Sequence, residues 1–156
     1  VEWWIDGGDT ALEFTKRRNL NRGYMKLEVW NDAMELFALV EKILREISSL
    51  DFRLRGQILD AAQSVSSNIS EGYGRKSINE YLYFLNVALG SLAELMTRMV
   101  GLRITDRVAE ASFDMFDECH YKTENKLLAL IKALQVKRRT GTWEAEIRET
   151  RRLYKH

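Results

Sequence analysis

Ser67-Asn68-Ile69-Ser70-Glu71-Gly72-Tyr73-Gly74-Arg75-Lys76-Ser77 closes one amphipathic run, turns on two glycines and opens another within a few residues. Upstream, Leu54, Ile58, Ala61, Val65 and Ile69 step by three and four, the period of a helix with one buried stripe. The spacing predicts a helix over about 52–70. Gly72 then takes the left-handed position beyond the helix end, Tyr73 the accompanying apolar contact, and Gly74 a second reversal. Downstream, Ser77-Ile78-Asn79-Glu80 has the form of a capping box, in which hydroxyl and carboxylate satisfy the free backbone donors of a helix start. Tyr81, Phe84 or Leu85, Ala88, Leu92, Leu95, Met99 and Leu102 carry the stripe of that long helix.

The same period extends in both directions. Trp30, Met34, Phe37, Val40 or Glu41, Leu44 and Ile47 predict a first helix over about 27–49, ended by Ser48-Ser49-Leu50-Asp51. Thr105 or Asp106 is expected to cap a fourth helix through Ala109, Phe113, Phe116, His120, Leu127, Ile131 and Leu134, with Glu124 as the misfit and Gly141 as its end. Helices of similar length with short connections predict an all-α fold, an antiparallel up-and-down four-helix bundle. Its expected core is Trp30, Phe37, Leu44, Ile58, Val65, Phe84, Ala88, Leu92, Phe116 and Ile131. Residues 1–24 read as an N-terminal extension with a short helix around 9–18, 25–136 as the bundle, and 137–156 as a basic tail. A short charged helix is expected in that tail from Thr142-Trp143-Glu144 to near Tyr154.

Composition agrees with long helices, because the 156 residues include no proline. One cysteine, Cys119, excludes an internal disulfide, and no run of about 18 apolar residues is present to span a bilayer. VEWWIDGGD lacks a basic flank followed by an apolar stretch, so it does not read as a secretory signal, and a cytoplasmic location is expected. The net charge of +1 is unevenly spread: residues 25–134 hold 13 Lys/Arg against 16 Asp/Glu, whereas 135–156 hold 7 against 3. A basic tail on an acidic body points to nucleic-acid contact through the tail.

Few residues suggest chemistry. Arg75 can pair with Glu71 or lie on an aromatic ring, and with Lys76 it forms a candidate anion or RNA contact. Lys137, Arg138, Arg139, Arg148, Arg151 and Arg152 form the main candidate nucleic-acid site. Glu94 and Arg98 have the spacing of a helical ion pair. Cys119 and His120 are neighbours that project about 100° apart on a helix, so no metal site is expected, and His120 reads as a core residue with one nitrogen bonded. Arg151 and His156 have the spacing of the pair that polarises phosphate and moves a proton in helical ribonucleases, which gives an RNA-processing enzyme as the alternative function. Phosphate-loop, nucleophile-elbow and dinucleotide patterns are missing, so neither catalysis nor a cofactor is expected. Trp3 and Trp4 read as anchors on a subunit surface.

Together with Leu27-Glu28-Val29-Trp30 and Phe84 through Leu95, the opening stretch resembles the four-helix-bundle proteins encoded in intervening sequences of bacterial 23S ribosomal RNA genes. Accessory proteins of diversity-generating retroelements share the pattern. The resemblance covers about 25–135 and is carried by Asn68, Glu71, Gly72, Gly74 and Arg75, then by Gly90, Ser91 and Glu94. It implies a homopentameric ring acting as a scaffold. For the retroelement branch it implies basic surfaces that engage RNA, DNA and a reverse transcriptase. The acidic bundle body departs from that branch. Leu39, Leu82, Leu89 and Val100, apolar but off the main stripes, are the expected contacts between subunits.

Overall fold

The computed structural model describes residues 14–143. A 3-10 helix, Leu20–Lys26, leads into α1 (Glu28–Arg45), α2 (Phe52–Tyr73), α3 (Ile78–Ile104) and α4 (Glu110–Thr140), and no strand occurs among the described residues. Each α-helix packs on its sequence neighbours, and α1 closes the bundle against α4. The cross-helix pairs run in opposite order. Gly72 faces Phe84, Ser64 bonds Ser91, and Gln57 bonds Arg98, so α2 and α3 are antiparallel throughout. The short connections require the same of the other pairs, and the all-helical bundle is the predicted fold.

The buried face of each helix is wider than one stripe because each helix meets two others. On α1 it includes Val29, Trp30, Ala33, Leu36, Leu39, Val40, Ile43 and Leu44. Phe37 and Phe84, expected in the core, are only half-buried, while their neighbours Leu36 and Leu85 are fully enclosed. Leu39 and Leu82, expected between subunits, are core residues of the single chain, since the second neighbouring helix covers them. Full burial of such a side chain contributes about 1.5–3 kcal/mol.

The helix ends correct the sequence reading in three places. α2 runs on through Gly72, which is helical and enclosed, and Gly74 caps it at φ −73°, an ordinary right-handed conformation. Ser77 is the N-cap of α3, but its hydroxyl makes no capping bond. Thr105 caps the end of α3 instead of starting α4, and Asp106, at φ 59°, is the left-handed residue of that turn; α4 begins after Ala109. Gly141 does end α4, at φ 72°.

Candidate nucleic-acid interface

Antiparallel order brings the 3-10 helix, the α2–α3 turn and the end of α4 to one end of the bundle. Aromatic rings join them. Trp30 meets Tyr24 at 5.3 Å between centroids, Tyr24 meets Tyr73 at 6.5 Å, Tyr73 meets Tyr81 at 6.1 Å, and Tyr81 meets Trp143 at 5.7 Å. Mostly edge-on contacts of this kind suit the ring quadrupole. They also seat Tyr24, assigned by sequence to an extension, on the bundle, where the 3-10 helix packs on α1 and α2.

This end also collects basic side chains that are some 60 residues apart in sequence. Lys76 borders the same groove as Lys137 and Arg138, with Asn79 and Trp143, and the Arg138 guanidinium donates to Asn79 Oδ1 at 3.1 Å. Arg139, one residue further along α4, is exposed. Arg75 does both things its position suggested: Nη2 lies 2.6 Å from Glu71 Oε1, and the guanidinium stands over the Phe84 ring at 4.7 Å. Ammonium groups beside a fixed guanidinium can hold phosphates without reading sequence.

The other residues of the opening pattern serve the α2–α3 contact. The Asn68 amide donates to the Ser64 carbonyl and hydroxyl at 2.7 and 2.9 Å, and the Ser64 and Ser91 hydroxyls meet at 2.8 Å. Ser91 donates to the Val87 carbonyl at 3.1 Å, so Ser64 is the donor to Ser91 and one directed chain crosses the two helices. Glu94 pairs with Arg98 at 3.0 Å, and Arg98 reaches back to Gln57 at 3.1 Å. Gly90 faces outward, with open space where a Cβ would stand.

A polar seam between α1 and α4 escaped the sequence reading. Asp32, 6% exposed, lies 3.5 Å from the Lys122 ammonium and 2.7 Å from that of Lys126. Glu35 and Glu28 flank it, at 3.2 Å from Lys122 and 3.4 Å from Lys126 respectively. The Lys126 contact is an ion pair set off the hydrogen-bond axis of Oδ2. Burial opposes the Lys122 charge, but the Asp32 and Glu35 carboxylates outweigh it and hold the ammonium above its ordinary range. At Lys126 the close contact with Asp32 likewise raises it, against burial. The i, i+4 acid and lysine pairs were the available signal, but nothing in the sequence matched one to the other. His120 is buried with Nε2 2.7 Å from the Leu92 carbonyl oxygen. Burial pushes the neighbouring Cys119 thiol up to about 11, with Lys122 acting the other way.

No helix among the described residues is long and apolar enough to cross a membrane. Trp3, Trp4, Arg148, Arg151, Arg152, His156 and most of the expected tail helix lie outside the described residues.

No curated protein matches the sequence. Among solved structures, a protein of unknown function from the S23 ribosomal protein family of Bacteroides thetaiotaomicron is similar, with a TM-score of 0.63 and 20% identity over 67% of this chain and 95% of that one. At this identity the likeness establishes the bundle fold. The sequence pattern of the 23S rRNA-intervening sequence proteins matches residues 25–131, which is most of the chain and the whole of α1 to α3. The chain belongs to the 23S rRNA-intervening sequence protein family.

Proposed function

We propose that this protein is a non-enzymatic oligomeric scaffold that binds RNA or DNA through the basic end of its bundle. The observation that supports the reading is the convergence of Lys76, Lys137 and Arg138 on one groove beside Arg75. Residues 25–134 carry a net charge of −3, so a phosphate backbone is attracted to this end and to the tail, not to the body. The proposal extends to a homopentameric ring in the cytoplasm, where several basic ends act together through effective concentration. By its resemblance to the accessory proteins of diversity-generating retroelements, a reverse transcriptase is the proposed protein partner.

The test is RNA affinity measured against salt. Lys76→Ala/Lys137→Ala/Arg138→Ala is expected to weaken binding and to flatten the plot of log affinity against log salt by about 2, the slope change for three lost phosphate contacts on a single strand. Arg148→Ala/Arg151→Ala/Arg152→Ala should act in the same sense. An unchanged slope in both variants would remove the basic end from the function.

A further inference from the structure

Tyr83 stands beside the basic groove with 63% of its surface exposed. Its ring meets Phe84 edge-on, 5.4 Å between centroids and 80° between planes, while the Arg75 guanidinium covers Phe84 at 4.7 Å. Arg75, Tyr83 and Phe84 therefore form the walls of an open pocket, bordered by Asn79 and Glu80. The same Asn79 and Glu80 border the groove of Lys76, Lys137 and Arg138. Phosphate-binding side chains and a flat, wettable aromatic surface thus lie on one continuous track across the start of α3.

Either half alone is ordinary. Single exposed tyrosines are common on helices, and basic side chains at helix ends are usually solvated. Their contiguity distinguishes this site. Arg75 is held in place by Glu71 at 2.6 Å and by its seat on Phe84, so the pocket wall is ordered before any ligand arrives. A duplex hides the faces of its bases and offers this pocket only backbone. A single strand has free faces to stack on an aromatic ring or a guanidinium plane.

We infer that the nucleic acid bound at this end is single-stranded, with phosphates on Lys76, Lys137 and Arg138 and a base stacked on Tyr83 beside Arg75. The inference rests on the nucleic-acid reading of the same end and narrows it to one class of ligand. Stacking accepts every base, so the site distinguishes strand state and not sequence. Glu80 borders both halves of the track and opposes phosphates there, while the charge of Glu71 is engaged by Arg75.

The experiment uses the full chain, a labelled mixed-sequence single-stranded RNA oligonucleotide, and the duplex it forms with its complement. The parent protein is expected to prefer the single strand. Tyr83→Ala should weaken single-strand binding about tenfold and leave duplex binding unchanged, whereas Tyr83→Phe retains a stacking face and the parent affinity. Light scattering on each variant checks assembly. Equal affinity for both RNAs, an unaffected Tyr83→Ala variant, or a Tyr83→Ala variant that binds normally per subunit but changes its assembled mass would overturn the inference while leaving nucleic-acid binding intact; the last outcome gives Tyr83 to a neighbouring copy. Failure of every form to bind either RNA at low salt would overturn the nucleic-acid reading itself.

Discussion

A Cβ on Gly72 would stand 2.9 Å from the Phe84 Cβ and 2.9 Å from Tyr81 Cδ2, with the Tyr81 carbonyl oxygen at 3.2 Å. The glycine is required by closeness between α2 and α3, not by positive φ. Two of these neighbours are tied to the α3 backbone and cannot swing away. Overpacking of about 1–3 kcal/mol therefore exceeds the gain in helix propensity of about 1 kcal/mol. Gly72→Val is expected to lower the urea midpoint by the equivalent of about 3 kcal/mol, and Gly72→Ala by about 1. Gly74→Ala, at right-handed φ with the Glu71 carbonyl oxygen 3.5 Å from where a Cβ would stand, should be neutral or stabilising by up to about 1 kcal/mol. Equal loss at both positions would contradict this distinction.

Gly72 also shows how far the sequence reaches. A glycine after an apolar stripe signals a helix end or a close approach equally well, and only the position of Phe84 separates them. The stripes on α1 to α4 were readable because 3.6-residue periodicity is local. The breadth of each buried face was not, because it depends on a second neighbouring helix; Leu39 and Leu82 moved inward and Phe37 and Phe84 outward for that reason. Thr105 is polar and precedes an apolar run, yet its hydroxyl donates to the Gly101 carbonyl and ends α3. The basic residues of the candidate interface were readable individually. Their meeting was not, since it depends on the α2–α3 turn lying against the end of α4. Tyr83 gave no sequence signal apart from being an aromatic residue off the stripe.

The α1–α4 seam gives a pH prediction. The Lys122 and Lys126 ammonium groups are held above the ordinary value of 10.5 in the folded chain. Folding then favours the charged form. That stabilisation is complete below about pH 10.5 and is lost as pH rises through the folded values. Asp32→Asn removes the carboxylate that faces both lysines. It should cost about 1 kcal/mol at pH 8, since solvent screens both partly exposed ammonium groups, and the cost should shrink as pH climbs above 10.5. Thermal melts of both proteins from pH 8 to 11 provide the measurement; a constant difference across that range would deny the linkage.

Cys119 should be chemically quiet. Its thiol is pushed up from 9.0 to about 11, chiefly by burial, so the thiolate is about 100-fold scarcer than at the unshifted value near pH 7–8. Iodoacetamide is expected to label the native chain at least about tenfold more slowly than the chain in urea. Its raised value also adds stability that is present below pH 9 and lost above it, in the same direction as the lysines. Rapid native labelling at pH 8 would show that the α4 face around Cys119 opens.

Gly90 supplies the test of assembly. Within a helix, glycine costs about 1 kcal/mol relative to alanine, and here no close approach by another described helix explains its presence. It lies on the outward face of α3, three residues from the partly exposed Val87. A covering surface outside the chain would account for both a missing side chain and an exposed apolar one, as expected where helices of two copies approach closely. The parent protein should run with a light-scattering mass near five times 18.2 kDa. Gly90→Trp should leave helix content and thermal stability of the subunit near the parent values, because the position faces outward with open space at the Cβ, but should reduce the assembled mass. A Gly90→Trp protein with the parent mass would move the subunit contact to another face, and a parent protein of 18.2 kDa at micromolar concentration would refute the ring.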